Sequence, residues 1–175
     1  MKAAATSRLF LALWPDEATR SALAQCRDAW AWDAHASPEP TERLHLTLHF
    51  LGAVPQPRLP ELIDGLRVPF SRFTLQLDRA GRRQMRWPNG IAVLTPKAVP
   101  QALLALHAAL RVELERLDLA VETRGWRPHV TLARHASGSA APAAQTSPVN
   151  WQVRGYALVE SQSLTGGYVV LREHR

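Results

Sequence analysis

The sequence has one cysteine, Cys26, and two lysines, Lys2 and Lys97. A lone cysteine excludes an intramolecular disulfide and points to a reducing, cytoplasmic setting. No apolar run approaches the length of a bilayer span. The first run, Leu9 to Trp14, is six residues long and is followed at once by Pro15, Asp16 and Glu17, so it reads as a buried strand rather than a membrane anchor. No P-loop, no Rossmann glycine pattern and no serine-nucleophile motif is present, which removes the common nucleotide-fold and serine-hydrolase chemistries.

The 175 residues, 46% of them hydrophobic, suffice for a single domain with a sizeable core, which we read as spanning 1–175 and monomeric. Lys and Arg number 21 against 15 Asp and Glu, a net charge of +6 carried mostly by arginine. That balance suits an anionic partner such as RNA or a phosphate ester, and equally a solvated basic surface.

Periodicity predicts the order β-α-β-α-β-β-α-β-β-β, an α+β pattern. Leu9–Trp14 is a strand, and Asp16 caps a helix reaching about Ala34. His35–Glu42 is a loop, Leu44–Leu51 a strand, and a short helix lies around Leu62. Phe73–Leu77 and Ile91–Leu94 are strands, with a basic edge strand or loop at Gly81–Arg86 between them. Pro100–Leu117 is the clearest helix, with Leu103, Leu106, Leu110 and Leu114 on one stripe. Strands at His129–Ala133, Trp151–Glu160 and Tyr168–Leu171 complete the chain, and Ala136–Pro148 is a loop.

Two short segments carry chemistry. In Leu44-His45-Leu46-Thr47-Leu48-His49-Phe50, strand alternation puts Leu44, Leu46, Leu48 and Phe50 on the core face and His45, Thr47 and His49 on the other. In Pro128-His129-Val130-Thr131-Leu132-Ala133-Arg134, His129 and Thr131 share the face opposite Val130 and Leu132. Each strand presents an imidazole and a hydroxyl about 7 Å apart. The two histidines are 84 residues apart, close to half the chain. One neutral imidazole can take a proton from water and one imidazolium can return a proton to a leaving oxygen. Hydroxyls can hold non-bridging phosphate oxygens, and a guanidinium such as Arg134 can offset their charge. Arg134 has the wrong parity for this face unless the strand bulges near Ala133. A metal site fits poorly, since His45 and His49 would stand roughly 13 Å apart on an extended strand.

At these residues the chain resembles the two-histidine (2H) phosphoesterase superfamily, and within it the bacterial RNA 2′,3′-cyclic phosphodiesterases, also called 2′-5′ RNA ligases or LigT-like proteins. Arg8–Leu13, Leu44–Gly52 and Arg127–Arg134 carry the likeness. The resemblance implies a bilobal fold, two antiparallel-rich sheets related by a pseudo-two-fold repeat around a cleft, with helices outside. It implies metal-independent, cofactor-free hydrolysis of a 2′,3′-cyclic phosphate to a 2′-phosphate by His45 and His129. Thr47, Thr131 and Arg134 would bind the phosphate. Its partners would be RNA with cyclic phosphate ends, tRNA fragments among them, or small cyclic phosphates; some relatives also join RNA ends through 2′-5′ bonds. His129 is assigned as the base and His45 as the acid. His49 and Trp126 are further candidate substrate contacts, with Trp87 and Trp151 as alternative stacking platforms and Arg82, Arg83 and Arg86 as RNA guides. A phosphodiesterase for a small cyclic nucleotide, and a non-catalytic RNA-binding module, are the rival readings.

Overall fold

A computed structural model describes residues 5–83, 90–143, 147–162, 164 and 166–175. In chain order these form β1 (Thr6–Leu13), α1 (Glu17–Asp28), β2 (Ser37–Pro38), β3 (Leu46–Pro55), α2 (Leu59–Gly65), β4 (Phe73–Arg83), β5 (Ile91–Pro96), α3 (Gln101–Arg116), β6 (Val130–Arg134), β7 (Val149–Val153), β8 (Tyr156–Ser161) and β9 (Tyr168–His174). The α+β reading holds, and the element order follows the expectation with two differences: the two-residue β2 is added, and the one strand expected over Trp151–Glu160 is two, β7 and β8, with a break at Arg154 and Gly155. The Asp16 carboxylate caps α1 by accepting from the Thr19 backbone N–H at 2.9 Å. That helix stops at Asp28 rather than near Ala34, because Trp30 buries itself and Ala31 leaves the helix to bridge Ala140.

Every strand pairing is antiparallel, in the order β7-β4-β5-β6-β3-β1-β8-β9, with β2 beside β6. β1 is apolar on both faces, from Leu9 to Leu13. Such a strand needs a neighbour on each edge, and it takes β3 on one side and β8 on the other. The C-terminal strands therefore return to the N-terminal one, and β4 to β7 from the middle of the chain form the rest. The two sheets expected from the half-chain repeat are one curled sheet. β3 and β6 meet at a single residue pair, Leu46 opposite Val130.

The helices cover one face. Leu23 and Cys26 of α1, Leu62 of α2 and the four buried leucines of α3 join Leu11, Leu13, Leu46, Leu48, Leu75, Leu77, Val130 and Leu132 in one core. Trp151 is also in that core, 2% exposed, so it is no stacking platform. The opposite face carries a smaller cluster of Phe10, Ala12, Ala157 and Val159, with Trp14, Tyr168 and Val170 packed on it. Among the described residues no helix is long and apolar enough to cross a membrane. Arg82 and Arg83 extend β4 along β5, past the point where β7 ends at Leu77. Arg86 and Trp87 lie outside the described residues.

Tyr156 is a fully buried polar anchor. Its hydroxyl accepts from the Val68 N–H and donates to the Leu66 carbonyl, each at 2.9 Å. Tyr156→Phe strands both backbone groups in the core, so it should destabilise the fold by about 1–3 kcal/mol in urea unfolding. A stability within error of the parent would show that those groups find other partners.

Candidate active site

Both motif histidines sit one residue before their strands. His45 Nδ1 donates to the Arg43 carbonyl, and His129 Nδ1 donates to the Arg127 carbonyl at 2.8 Å. A carbonyl only accepts, so in each neutral ring Nδ1 carries the proton and Nε2 is the basic nitrogen. His45 Nε2 accepts from the Thr47 hydroxyl at 3.1 Å. Continuing the Leu46–Val130 register by one residue each way sets His45 across from Thr131 and Thr47 across from His129. Leu46 and Val130 point into the core, so the four motif side chains share the opposite face. Diagonal neighbours in such a pairing have Cβ atoms about 7–8 Å apart, close enough for two imidazoles to flank one phosphate.

Each motif threonine is followed by a β-bulge. The β1–β3 register passes from Thr47 to His49 over Leu48, and the β5–β6 register passes from Thr131 to Ala133 over Leu132. An extra residue reverses the alternation beyond it. Leu48 and His49 are therefore both buried, as are Leu132 and Ala133. Phe50 and Arg134 come back to the motif face, and Phe50, expected in the core, is 64% exposed. Arg134 is re-aimed by the bulge that its placement required. Its Nε donates to Glu39 Oε1 at 2.8 Å.

The same shift corrects the expectation for His49. It does not line the motif face beside His45 and Thr47. It turns inward, stacks on His107 at 4.0 Å between ring centroids, and donates through Nε2 to the His107 carbonyl at 2.8 Å. Trp126 is corrected too. Its ring stacks on His107 at 4.0 Å, and its Nε1–H donates to the Thr47 carbonyl at 3.1 Å, which ties it to α3 and β3 instead of leaving it a free stacking platform.

The aromatic residues that do surround the site are ones the motif reading missed. The His45 ring lies 5.0 Å from Phe10, 5.7 Å from Trp14 in a stacked arrangement, and 5.3 Å from Tyr168 edge-on. The signal was available: Phe10, Ala12 and Trp14 alternate along β1 as His45 and Thr47 do along theirs. Arg20 sits over the far side of this group, 5.2 Å from the Trp14 ring, and donates to the carbonyls of Pro15, Thr41 and Glu42. Arg43 lies 5.7 Å over Tyr168. Burial among these rings pushes the His45 imidazolium down to a pKa of about 4, and the charges of Arg134, Arg20 and His129 push the same way. The hydrogen bond to Arg43 opposes them. At neutral pH His45 is thus neutral beside arginine cations, a setting that favours an anion. No group of three or more His, Cys, Asp or Glu among the described residues is placed to hold a metal ion.

A family model described as LigT like Phosphoesterase matches residues 13–93. The chain is 33% identical to an RNA 2′,3′-cyclic phosphodiesterase of Thermus thermophilus, over 95% of this chain and 88% of that protein. Its fold is similar to that of E. coli LigT crystallised with phosphate, at a TM-score of 0.73 and 28% identity, covering 97% of this chain and 96% of the other. It is similar also to E. coli LigT complexed with 3′-AMP, at a TM-score of 0.77 and 29% identity, covering 97% of each.

Three histidines on or behind the motif strands, His45, His49 and His107, have pKa values lowered chiefly by burial. Each is neutral in the fold at a pH where the unfolded chain, near 6.5, already binds a proton. Stability contributed by their neutral forms is therefore complete above about pH 6.5 and lost as pH falls below it, for His45 and His107 down to about pH 4, by at most about 1.4 kcal/mol per pH unit for each group. Urea unfolding at pH 7, 6 and 5 should show that decline, and His107→Gln should make it shallower. Stability that rises between pH 7 and 5 would contradict the burial of these rings.

Proposed function

The chain belongs to the LigT-like phosphoesterase family, and from that premise we propose that it opens RNA 2′,3′-cyclic phosphates to 2′-phosphate ends, with His45 and His129 as its acid–base pair. The observation that carries the reading is the pairing of Leu46 with Val130, which sets one His-x-Thr motif against the other on a single face. The likeness to LigT structures holding phosphate and 3′-AMP supports a nucleotide phosphate as the occupant of that face.

The reaction needs water to attack phosphorus in line with the departing 3′-oxygen. His129 Nε2 takes the proton from that water as the new P–O bond forms. The bond from phosphorus to the 3′-oxygen breaks, and His45 Nε2–H gives its proton to that oxygen. The hydroxyls of Thr47 and Thr131 and the guanidinium of Arg134 hold the non-bridging oxygens, whose negative charge grows in the transition state. The net change is one water added across one P–O bond, and solvent exchange returns the two histidines to their starting protonation.

His45 is neutral at pH 7 by itself, so its role as acid requires a proton to arrive with the substrate. A phosphate anion beside the ring stabilises the imidazolium and raises its pKa. The two events are linked: the substrate anion draws in the proton that the leaving oxygen receives. Binding of 2′,3′-cyclic AMP to the His129→Ala variant at pH 7, followed by calorimetry in two buffers of different ionisation enthalpy, should show uptake of close to one proton. Binding without proton uptake would make His45 the base and His129 the acid.

The function itself is tested on an oligonucleotide ending in a 2′,3′-cyclic phosphate, with excess chelator present and the product end identified. The expected product is a 2′-phosphate, formed at an unchanged rate in the chelator. His45→Ala and His129→Ala should each lower kcat by about 10²- to 10⁴-fold, and the double variant should lose far less than the product of the two. A 3′-phosphate product, or a rate restored only by an added divalent ion, would reject this mechanism.

A further inference from the structure

Beside the two bulges, backbone carbonyls accept from groups outside the main strand ladders, and the two sites do this differently. Behind the second motif, the Leu132 carbonyl accepts from the Glu39 N–H at 2.8 Å, beside the short β2–β6 pairing. Behind the first motif, side chains do this work. Trp126 Nε1 donates to the Thr47 carbonyl at 3.1 Å. The His107 ring donates to the Leu48 carbonyl. His49 Nε2 donates back to the His107 carbonyl at 2.8 Å. The three rings stack in the order His49, His107, Trp126, with both centroid separations 4.0 Å and interplanar angles of 18° and 12°.

This stack joins three segments with little else in common. His49 belongs to β3, two residues beyond Thr47. His107 stands in the middle of α3. Trp126 lies in the irregular segment that leads into His129, three residues on. The backbone contact between the motif strands is a single pair, which by itself leaves the angle between them poorly constrained. A ring stack that is anchored in β3 by His49 at one end, and that at the other end ties the approach to His129 to the Thr47 carbonyl through Trp126, supplies that constraint.

We infer that the His49–His107–Trp126 stack sets the spacing between the two motif histidines, with His107 as its central positioning residue. The inference rests on the proposed two-histidine reaction for its kinetic consequence, but not for its structural one. His107 touches no reacting atom; it acts through the Leu48 carbonyl and through Trp126. His107→Leu removes the donor and keeps bulk, whereas His107→Gln keeps an N–H able to reach the Leu48 carbonyl.

Two measurements test this on the full chain. Imidazole ¹H–¹⁵N spectra of the free protein should show the His45 and His129 resonances displaced in His107→Leu and close to their parent positions in His107→Gln. Both resonances unmoved in His107→Leu would overturn the inference whatever the protein's activity. On 2′,3′-cyclic AMP, His107→Leu should lower kcat by roughly 10- to 100-fold, because misplacing a catalytic group by about 1 Å costs on that order, with KM changed less than about threefold. His107→Gln should recover most of kcat. Equal losses in both variants that track a lowered melting temperature would mean that His107 serves stability alone, and would also overturn it.

Discussion

Leu46 and Val130 face each other across the one register that β3 and β6 share. Both side chains are fully buried beneath α3 and its neighbours, so neither strand can slip along the other without exposing a core residue. A slip of one residue would carry every motif side chain to the wrong face. The positions of His45, Thr47, His129 and Thr131 are in this sense consequences of core packing on the other side of the sheet. Residues that never meet a ligand set the geometry of those proposed to do so.

The two bulges act on this frame in the same way. Regular alternation would leave Arg134 pointing into the core and would send His49 to the motif face. One extra residue after each threonine reverses both placements. It brings Phe50 and Arg134, six positions into their respective motifs, to the same face as the histidines. The reversal requires that the displaced backbone carbonyls find donors, since a buried carbonyl without one is costly. Glu39 meets that need on one side with its backbone N–H, while its carboxylate receives Arg134. On the other side the need is met by two aromatic donors, His107 and Trp126.

Electrostatics follow from the same packing. The rings of Phe10, Trp14 and Tyr168 remove water from around His45, and Arg20, Arg43 and Arg134 stand nearby as cations. A low-dielectric setting with an excess of positive charge disfavours a charged imidazole until an anion enters. In the proposed reaction, affinity for phosphate and protonation of His45 are therefore one linked equilibrium rather than two separate properties.

The sequence alone determined the order of the longer elements as far as β6, the α+β class, the leucine stripe of α3, the cap at Asp16 and the two His-x-Thr pairs. All of these depend on contacts within a few residues, where side-chain period and capping chemistry are local. Strand alternation placed His45, Thr47, His129 and Thr131 correctly because no bulge intervenes within either triplet. The same rule misplaced His49 and Phe50, because a bulge depends on the neighbouring strand and is invisible in one strand's alternation. Tertiary structure also decided that the sheet is continuous, since the return of β8 to β1 depends on a doubly apolar strand needing two partners. It decided that Trp126 and His49 join His107 behind the site, and that Phe10, Trp14 and Tyr168 enclose His45. Those contacts link residues far apart in the chain, and only packing against a common core brings them together.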